Sequence, residues 1–172
     1  MSVKPLRRFG DPVLASPSAP VTQFGKALRV LVDDLMDTVD DPGRAGLAAP
    51  QIGVGLRVFS YRIEGRHGYV VNPELVGSSP RRQTGYEACL SVPGLAFPTE
   101  RAYQAVVRGV DVGNEPIVIS GDGEFARCLQ HETDHLDGML YLWRLTPEIR
   151  REALRQARRQ DWFLPPAGQA DV

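Results

Sequence analysis

The chain has 172 residues, 42% of them hydrophobic and 24% charged, with a formal net charge of −1. By the usual length prior that is one domain, 1–172, with enough chain to bury a core. The near-neutral balance gives no electrostatic case for DNA or an acidic membrane surface as a partner. Gly 17 and Pro 14 point to many turns rather than a helical bundle.

Residues 1–24 read as extended and turn-rich, with Asp11-Pro12, Ser16-Pro17 and Ala19-Pro20. Leu28, Leu31, Val32, Leu35, Met36 and Val39 then form one apolar helical stripe. That spacing predicts an amphipathic helix from about Gly25 to Asp40, stopped by Asp41-Pro42-Gly43. Its last turns carry Asp37, Asp40 and Asp41, the wrong sign for a helix C-terminus. From Gly46 to Ser120 the text is strand-like. Leu56–Ile63, Tyr69–Val76, Ala102–Val110 and Ile117–Ser120 are the short β-rich runs. A second helix is expected from Glu124 to about Asp137, ending at Gly138. A third opens on Thr146-Pro147 and runs to about Gln160, with Arg150, Arg151, Arg155, Arg158 and Arg159 making it basic. Residues 161–172 read as a loose tail anchored by Trp162 and Phe163. The order of elements favours an α+β fold with antiparallel β-sheets.

The rare residues are Cys89, Cys128, His67, His131 and His135. Two cysteines exclude a disulfide-dense scaffold and a four-thiolate zinc site. Met1–Gly10 lacks an apolar signal core, and no apolar run approaches the roughly 20 residues that span a bilayer. A cytoplasmic location with reduced or metal-bound thiols is therefore expected.

His131-Glu132-Thr133-Asp134-His135 is an H-E-x-x-H pattern on the second predicted helix. Residues four apart share a helix face, so both imidazoles can reach one metal ion. Glu132 is rotated roughly 100° from His131, beside the metal, where it can exchange protons with water. A catalytic site needs a third protein ligand. A metzincin-type third histidine fails, because Tyr141 occupies its position. Glu148 and Glu152 are available but fall on the short basic helix. His67, in Glu64-Gly65-Arg66-His67-Gly68, reads as a surface turn residue. Cys89 is either a thiolate ligand or a small core residue, and spacing leaves the two open.

Three blocks in order resemble the peptide deformylase family over roughly residues 4–160. Arg44-Ala45-Gly46-Leu47-Ala48-Ala49-Pro50-Gln51 is similar to its GxGxAAxQ motif. Glu87-Ala88-Cys89-Leu90-Ser91 is similar to EGCLS, and Gln130–His135 to QHExDH. Phe9–Leu14 resembles the family's N-terminal segment. The resemblance implies sheets packed around a central helix that carries HExxH. It implies Cys89, His131 and His135 as ligands of one divalent ion, Fe2+ first, with Zn2+, Ni2+ or Co2+ able to take its place. It implies Glu132 as general acid/base. The Gln51 carboxamide and the Leu90 backbone N–H would hold the formyl oxygen as charge develops on it. Gly46, Ala45, Ala88, Glu87, Arg127 and Cys128 would line the substrate site. The implied partners are nascent N-formylmethionyl peptides, with a transient ribosome contact, and a monomer or weak dimer is expected.

Two departures from the pattern stand out. Arg44 replaces a glycine, with Gly43 beside it to take the turn. Ala88 replaces the EGCLS glycine, which predicts a narrower cleft because a Cβ disfavours positive φ and fills space. Cys128 shares the face of His131 and reads as a wall of the site. Arg127 is expected to lay its stem along the pocket with its charge outside. Asp134 and Arg101 form a candidate supporting pair for the ligands. Two other readings are an HExxH metallopeptidase and a non-catalytic homologue that binds formyl peptides or the ribosome.

Overall fold

A computed structural model describes residues 3–163; residues 164–172, most of the expected tail, lie outside the described residues. Helix α1 spans Lys26–Val39, with Gly25 and Asp40 as its caps. The strands are β1 (Gly46–Ala48), β2 (Val58–Ile63), β3 (Arg66–Ser78), β4 (Arg82–Cys89), β5 (Val92–Ala102), β6 (Gln104–Val110) and β7 (Pro116–Asp122). Helix α2 spans Gly123–Leu136 and α3 spans Pro147–Ala157. The fold is mixed α and β, with antiparallel sheets and three α-helices.

One sheet has five strands in the order β1-β2-β3-β6-β7, and β4 and β5 pair separately as a hairpin. Both faces of the larger sheet are covered, and consecutive residues go to opposite sides. Leu47, Val58 and Val71 pack with Leu28, Leu31, Leu35 and Val39 of α1. Their neighbours Ala48, Phe59 and Val70 pack with Phe125, Ala126 and Leu129 of α2. This double burial is why these strands read as apolar runs rather than as an alternation. The hairpin makes a third cluster, in which Cys89, Val92, Leu95 and Phe97 meet Leu140–Leu142, Ala153 and Ala157. Trp162 closes it by donating from Nε1 to the Pro93 carbonyl at 3.1 Å. Among the described residues, no helix is long and apolar enough to cross a membrane.

The predicted helices match the structure to within a residue or two at most ends; α3 stops earlier than expected, at Ala157. The acidic end of α1 has a physical answer. Arg44 Nη1 donates to the Thr38 carbonyl at 2.6 Å, and Arg62 Nη1 donates to the Asp40 carbonyl at 2.5 Å. Guanidinium groups from outside the helix thus supply the positive charge that its own last turn lacks. Gly43 takes the turn at φ +84°, leaving Arg44 free for this task. His67 is not in the turn, which is Glu64-Gly65. It sits on β3 opposite Arg62, with Nε2 3.1 Å from Asp40 Oδ1. The hairpin escaped prediction as two defined strands. Arg82–Cys89 shows little apolar alternation, and β5 carries Pro93 and Pro98, which only a strand with a free edge tolerates.

The C-terminal end of α2 is fixed from three sides. Ser18 N–H and Arg57 Nη1 both donate to the Leu136 carbonyl, at 2.8 and 3.1 Å. Gly138 turns the chain at φ +74°, pressed against the Ala15 carbonyl. A Cβ there would stand 2.9 Å from Ala15 backbone atoms, in a backbone region that L side chains avoid. Gly138→Ala is therefore expected to lose about 2–4 kcal/mol of stability in urea denaturation; a loss below about 1 kcal/mol would show that this turn relaxes freely.

Candidate metal centre

Helix α2 buries every side chain from Phe125 to Leu136. His131 and His135 lie one turn apart with ring centroids 4.9 Å from each other. Strand β4 delivers Cys89 to the same place, with Sγ 3.3 Å from His135 Nε2. The ligand atoms of Cys89, His131 and His135 all lie within 4.8 Å of one another. Two donors sharing a tetrahedral ion stand roughly 3.5 Å apart, so the cluster suits a small divalent metal. The donor set, one thiolate and two imidazoles, fits Fe, Zn, Ni or Co.

The first carboxylate-bearing residue of the helix motif completes the centre. Glu132 is 3% exposed, and its Oε2 has no hydrogen-bond partner among the described residues. Burial pushes its carboxyl up to about 7. Its side chain lies over Gly46, where any Cβ would collide with the carboxylate. The glycine of β1 is thus needed by Glu132, a constraint the sequence reading assigned to the substrate instead.

Gln51 lies in a short 3-10 turn (Ala49–Ile52) and is 1% exposed. Its Oε1 accepts from Ala48 N at 2.9 Å, which fixes the amide so that Nε2 faces Cys89 Sγ at 3.7 Å and Ser91 Oγ at 3.3 Å. Leu90 follows Cys89 in the tight turn between β4 and β5, and the Ser91 N–H lies 3.4 Å from the sulfur. Gln51, Cys89 and Leu90 border a cleft of about 590 Å³, lined also by Ala45, Gly46, Ala88, Cys128, His131 and Glu132 among others. The cleft runs between β1 and the β4–β5 hairpin. Among the described residues β1 pairs only with β2, so its other edge is open there.

A buried charge network stands behind the ligands. His131 Nδ1 meets Glu87 Oε1 at 2.7 Å, which leaves Nε2 for a metal. Arg101 grips Glu87 through two nitrogens at 3.0 and 2.6 Å and reaches Asp134 at 2.6 Å. Arg127 Nη1 adds a bond to Glu87 at 3.0 Å, and Arg144 pairs with Asp134 at 2.7 Å. Burial opposes the charge of Glu87, but the hydrogen bonds from His131 and Arg101 outweigh it and hold its carboxyl well below the usual range. Burial likewise opposes a charged His131, and Cys89 and Glu87 overcome it, so its pKa lies well above the ordinary value. His135, with no such carboxylate, is pushed the other way by burial and by His131. Tyr141 stacks on His131 at 6.2 Å between centroids.

Several expectations need correction. Glu87 was expected among the substrate contacts, but its carboxylate is engaged by His131, Arg101 and Arg127. Arg127 does not hold its charge outside; the side chain is 6% exposed, bonded to Glu87 and the Thr99 carbonyl, with its tip against Gly85. Arg101 and Asp134 do pair, yet the carboxylate on the imidazole is that of Glu87. Ala88 needs no positive φ; it is an exposed residue of β4, paired with Ala96, and its side lines the cleft. Cys128 is buried on the cleft wall, its thiol donating to the Ala45 carbonyl at 3.5 Å. Glu148 and Glu152 lie on α3 and are absent from the cleft lining. Sequence reasoning gave no role to Ser91, although it closes the EGCLS-like block, nor to Tyr141 and Arg144, which carry no motif of their own.

Removing one side of this network leaves charges stranded. Glu87→Ala is expected to cost about 3–5 kcal/mol in urea denaturation, because Arg101 and Arg127 stay buried without it. Glu87→Gln should cost less, since it keeps the shape and an acceptor oxygen. Equal losses from both would show that the charge is unimportant.

The chain was compared with known proteins. The model of the polypeptide deformylase family matches residues 3–151. A peptide deformylase of Acidothermus cellulolyticus is 52% identical over 162 residues, covering 94% of this chain and 89% of that protein. Peptide deformylase 2 of Streptomyces coelicolor is 48% identical, covering 93% and 92%. The crystal structure of a peptide deformylase from Legionella pneumophila superposes with a TM-score of 0.85 at 38% identity, over 91% of this chain and 94% of that one. With a family model spanning most of its length and relatives of this identity, the chain belongs to the polypeptide deformylase family.

Proposed function

We propose that this chain is a metal-dependent hydrolase that removes the N-formyl group from N-formylmethionyl peptides of nascent proteins and releases formate. The observation that carries this reading is the convergence of Cys89, His131 and His135 beside a cleft, with Glu132, whose Oε2 has no hydrogen-bond partner among the described residues, next to them. We read residues 1–172 as one catalytic domain, acting in the cytoplasm as a monomer or weak dimer, with the basic α3 open to transient ribosome contact.

Cys89, His131 and His135 would hold one divalent ion, Fe2+ first, then Zn2+, Ni2+ or Co2+; when bound, the ion supplies Lewis acidity and makes water acidic enough to ionise near neutral pH. The protein's own groups do the rest. Glu132 accepts the proton of the attacking water and returns it to the leaving amine. Its elevated pKa suits both halves of that exchange. Gln51 Nε2, fixed by the Ala48 N–H, and the Leu90 N–H are the donors assigned to the formyl oxygen. A donor of this kind typically contributes about 3–4 kcal/mol to the transition state. Glu87 orients His131, and Arg101 and Arg127 keep Glu87 ionised. Ala45, Gly46, Ala88 and Cys128 supply the walls along which the peptide lies. The polar Arg127–Glu124 pair, with Nε and Oε2 3.3 Å apart, borders the same cleft and makes it less apolar than a purely aliphatic side-chain pocket.

The deciding assay is formate release from a formyl-Met peptide by anaerobically purified, metal-loaded protein. One metal ion per chain and steady formate production are expected; cleavage of internal bonds in unformylated peptides, or binding without formate release, would overturn the reading. Glu132→Ala should keep the metal and lose about 10²- to 10⁴-fold in rate. Cys89→Ala should lose the metal itself, measured by elemental analysis after gel filtration. Gly46→Ala should keep the metal while displacing the Glu132 carboxylate, lowering the rate about 10- to 100-fold.

A further inference from the structure

The first described segment of the chain is stitched to the site by three hydrogen bonds. Arg7 N–H donates to the Gln51 carbonyl at 2.8 Å, and Phe9 N–H donates to the Ser91 carbonyl at 2.8 Å. Between them, Arg8 Nη1 donates to the Leu90 carbonyl at 2.5 Å, and Arg8 lines the cleft. The Leu90 carbonyl belongs to the same peptide unit as the Ser91 N–H. That N–H points at Cys89 Sγ, 3.4 Å away. A cation on one end of an amide polarises the other end, so the N–H becomes a stronger donor.

We propose that Arg8 is a positioning residue for Cys89. Its guanidinium holds and polarises the Leu90–Ser91 peptide so that the Ser91 N–H rests on the ligand sulfur. Arg8 thereby limits how much electron density the thiolate donates, and it fixes the turn that carries Leu90. The geometry is one-directional: the guanidinium donates to the carbonyl, the amide donates to the sulfur, and the Arg8 side chain reaches Cys89 through that peptide. Outer hydrogen bonds of this kind tune metal sites without joining them. The proposal rests on Cys89 being a metal ligand, as proposed above.

The test uses the full chain loaded with Co(II), whose sulfur-to-cobalt charge-transfer band reports the electron density on the thiolate. A band in the parent protein that is absent from Cys89→Ala establishes the ligand. Absence of any band in the parent overturns the ligand assignment and this proposal with it. Arg8→Met should move the band to longer wavelength, because a sulfur that has lost a hydrogen bond gives up its electron more easily. Arg8→Lys should return the band close to its parent position. Arg8→Gln, which keeps a neutral donor, should fall between, and it serves as the variant if Arg8→Met does not fold. A band that stays at the parent position in Arg8→Met or Arg8→Gln, with only the melting temperature lowered, overturns the proposal and leaves Arg8 as a fastener of the N-terminal segment.

Discussion

Helix α2 takes Arg127, Gln130, His131, Glu132, Thr133, Asp134 and His135 into the interior, and each of these costs free energy unless it is answered. Most of the surrounding structure supplies the answers. Gln130 meets the Ala102 N–H and carbonyl, tying α2 to the end of β5. Thr133 returns its hydroxyl to the Leu129 carbonyl. Arg101 joins Glu87 to Asp134, and so joins the β4–β5 hairpin to the helix. Of the polar side chains that α2 buries, Glu132 Oε2 and His135 Nδ1, both at the candidate centre, are left without a partner among the described residues; elsewhere Ser18 Oγ and Arg150 Nε are too. Within α2, the unanswered polar atoms thus lie where chemistry is expected.

How much of this was legible in the residues varies with the range of the interaction. α1 and α2 could be read because their stripes, caps and stop signals are local. His131 and His135 could be read because four residues is one helix turn. Cys89 could not be placed by spacing, since its position depends on the hairpin folding back over α2. One local signal was available and unused. Successive strand residues point to opposite faces, so Glu87 and Cys89 share the buried side while Ala88 faces out. That alternation places Glu87 on the same side as Cys89. The role of Gly46 was equally invisible, because it follows from a side chain of a residue 86 positions later (132 − 46).

The departures from the family pattern have local explanations. Arg44 stands where the pattern has glycine, and it holds both Asp41 at 2.7 Å and the Thr38 carbonyl in the last turn of α1. Gly43 supplies the left-handed turn one residue earlier. The buried Arg127 is made tolerable by Glu87 and the Thr99 carbonyl, and by Gly85, whose missing side chain leaves room for the guanidinium. These residues form small compensated sets, and each exchange is readable only with its partners.

The stitching of residues 7–9 to Gln51 and Ser91, and of Ser18 to Leu136, has a consequence for the order in which the molecule assembles. Phe9 finds its partner only after the turn of the hairpin, and Ser18 only after α2, has left the ribosome. Contacts between positions so far apart in the chain delay folding, because the loops must close before the contacts are gained. The three donors of the centre come together in that same late step. A growing chain therefore passes most of its synthesis before Cys89, His131 and His135 can meet, and their cluster is among the last features of the fold to form.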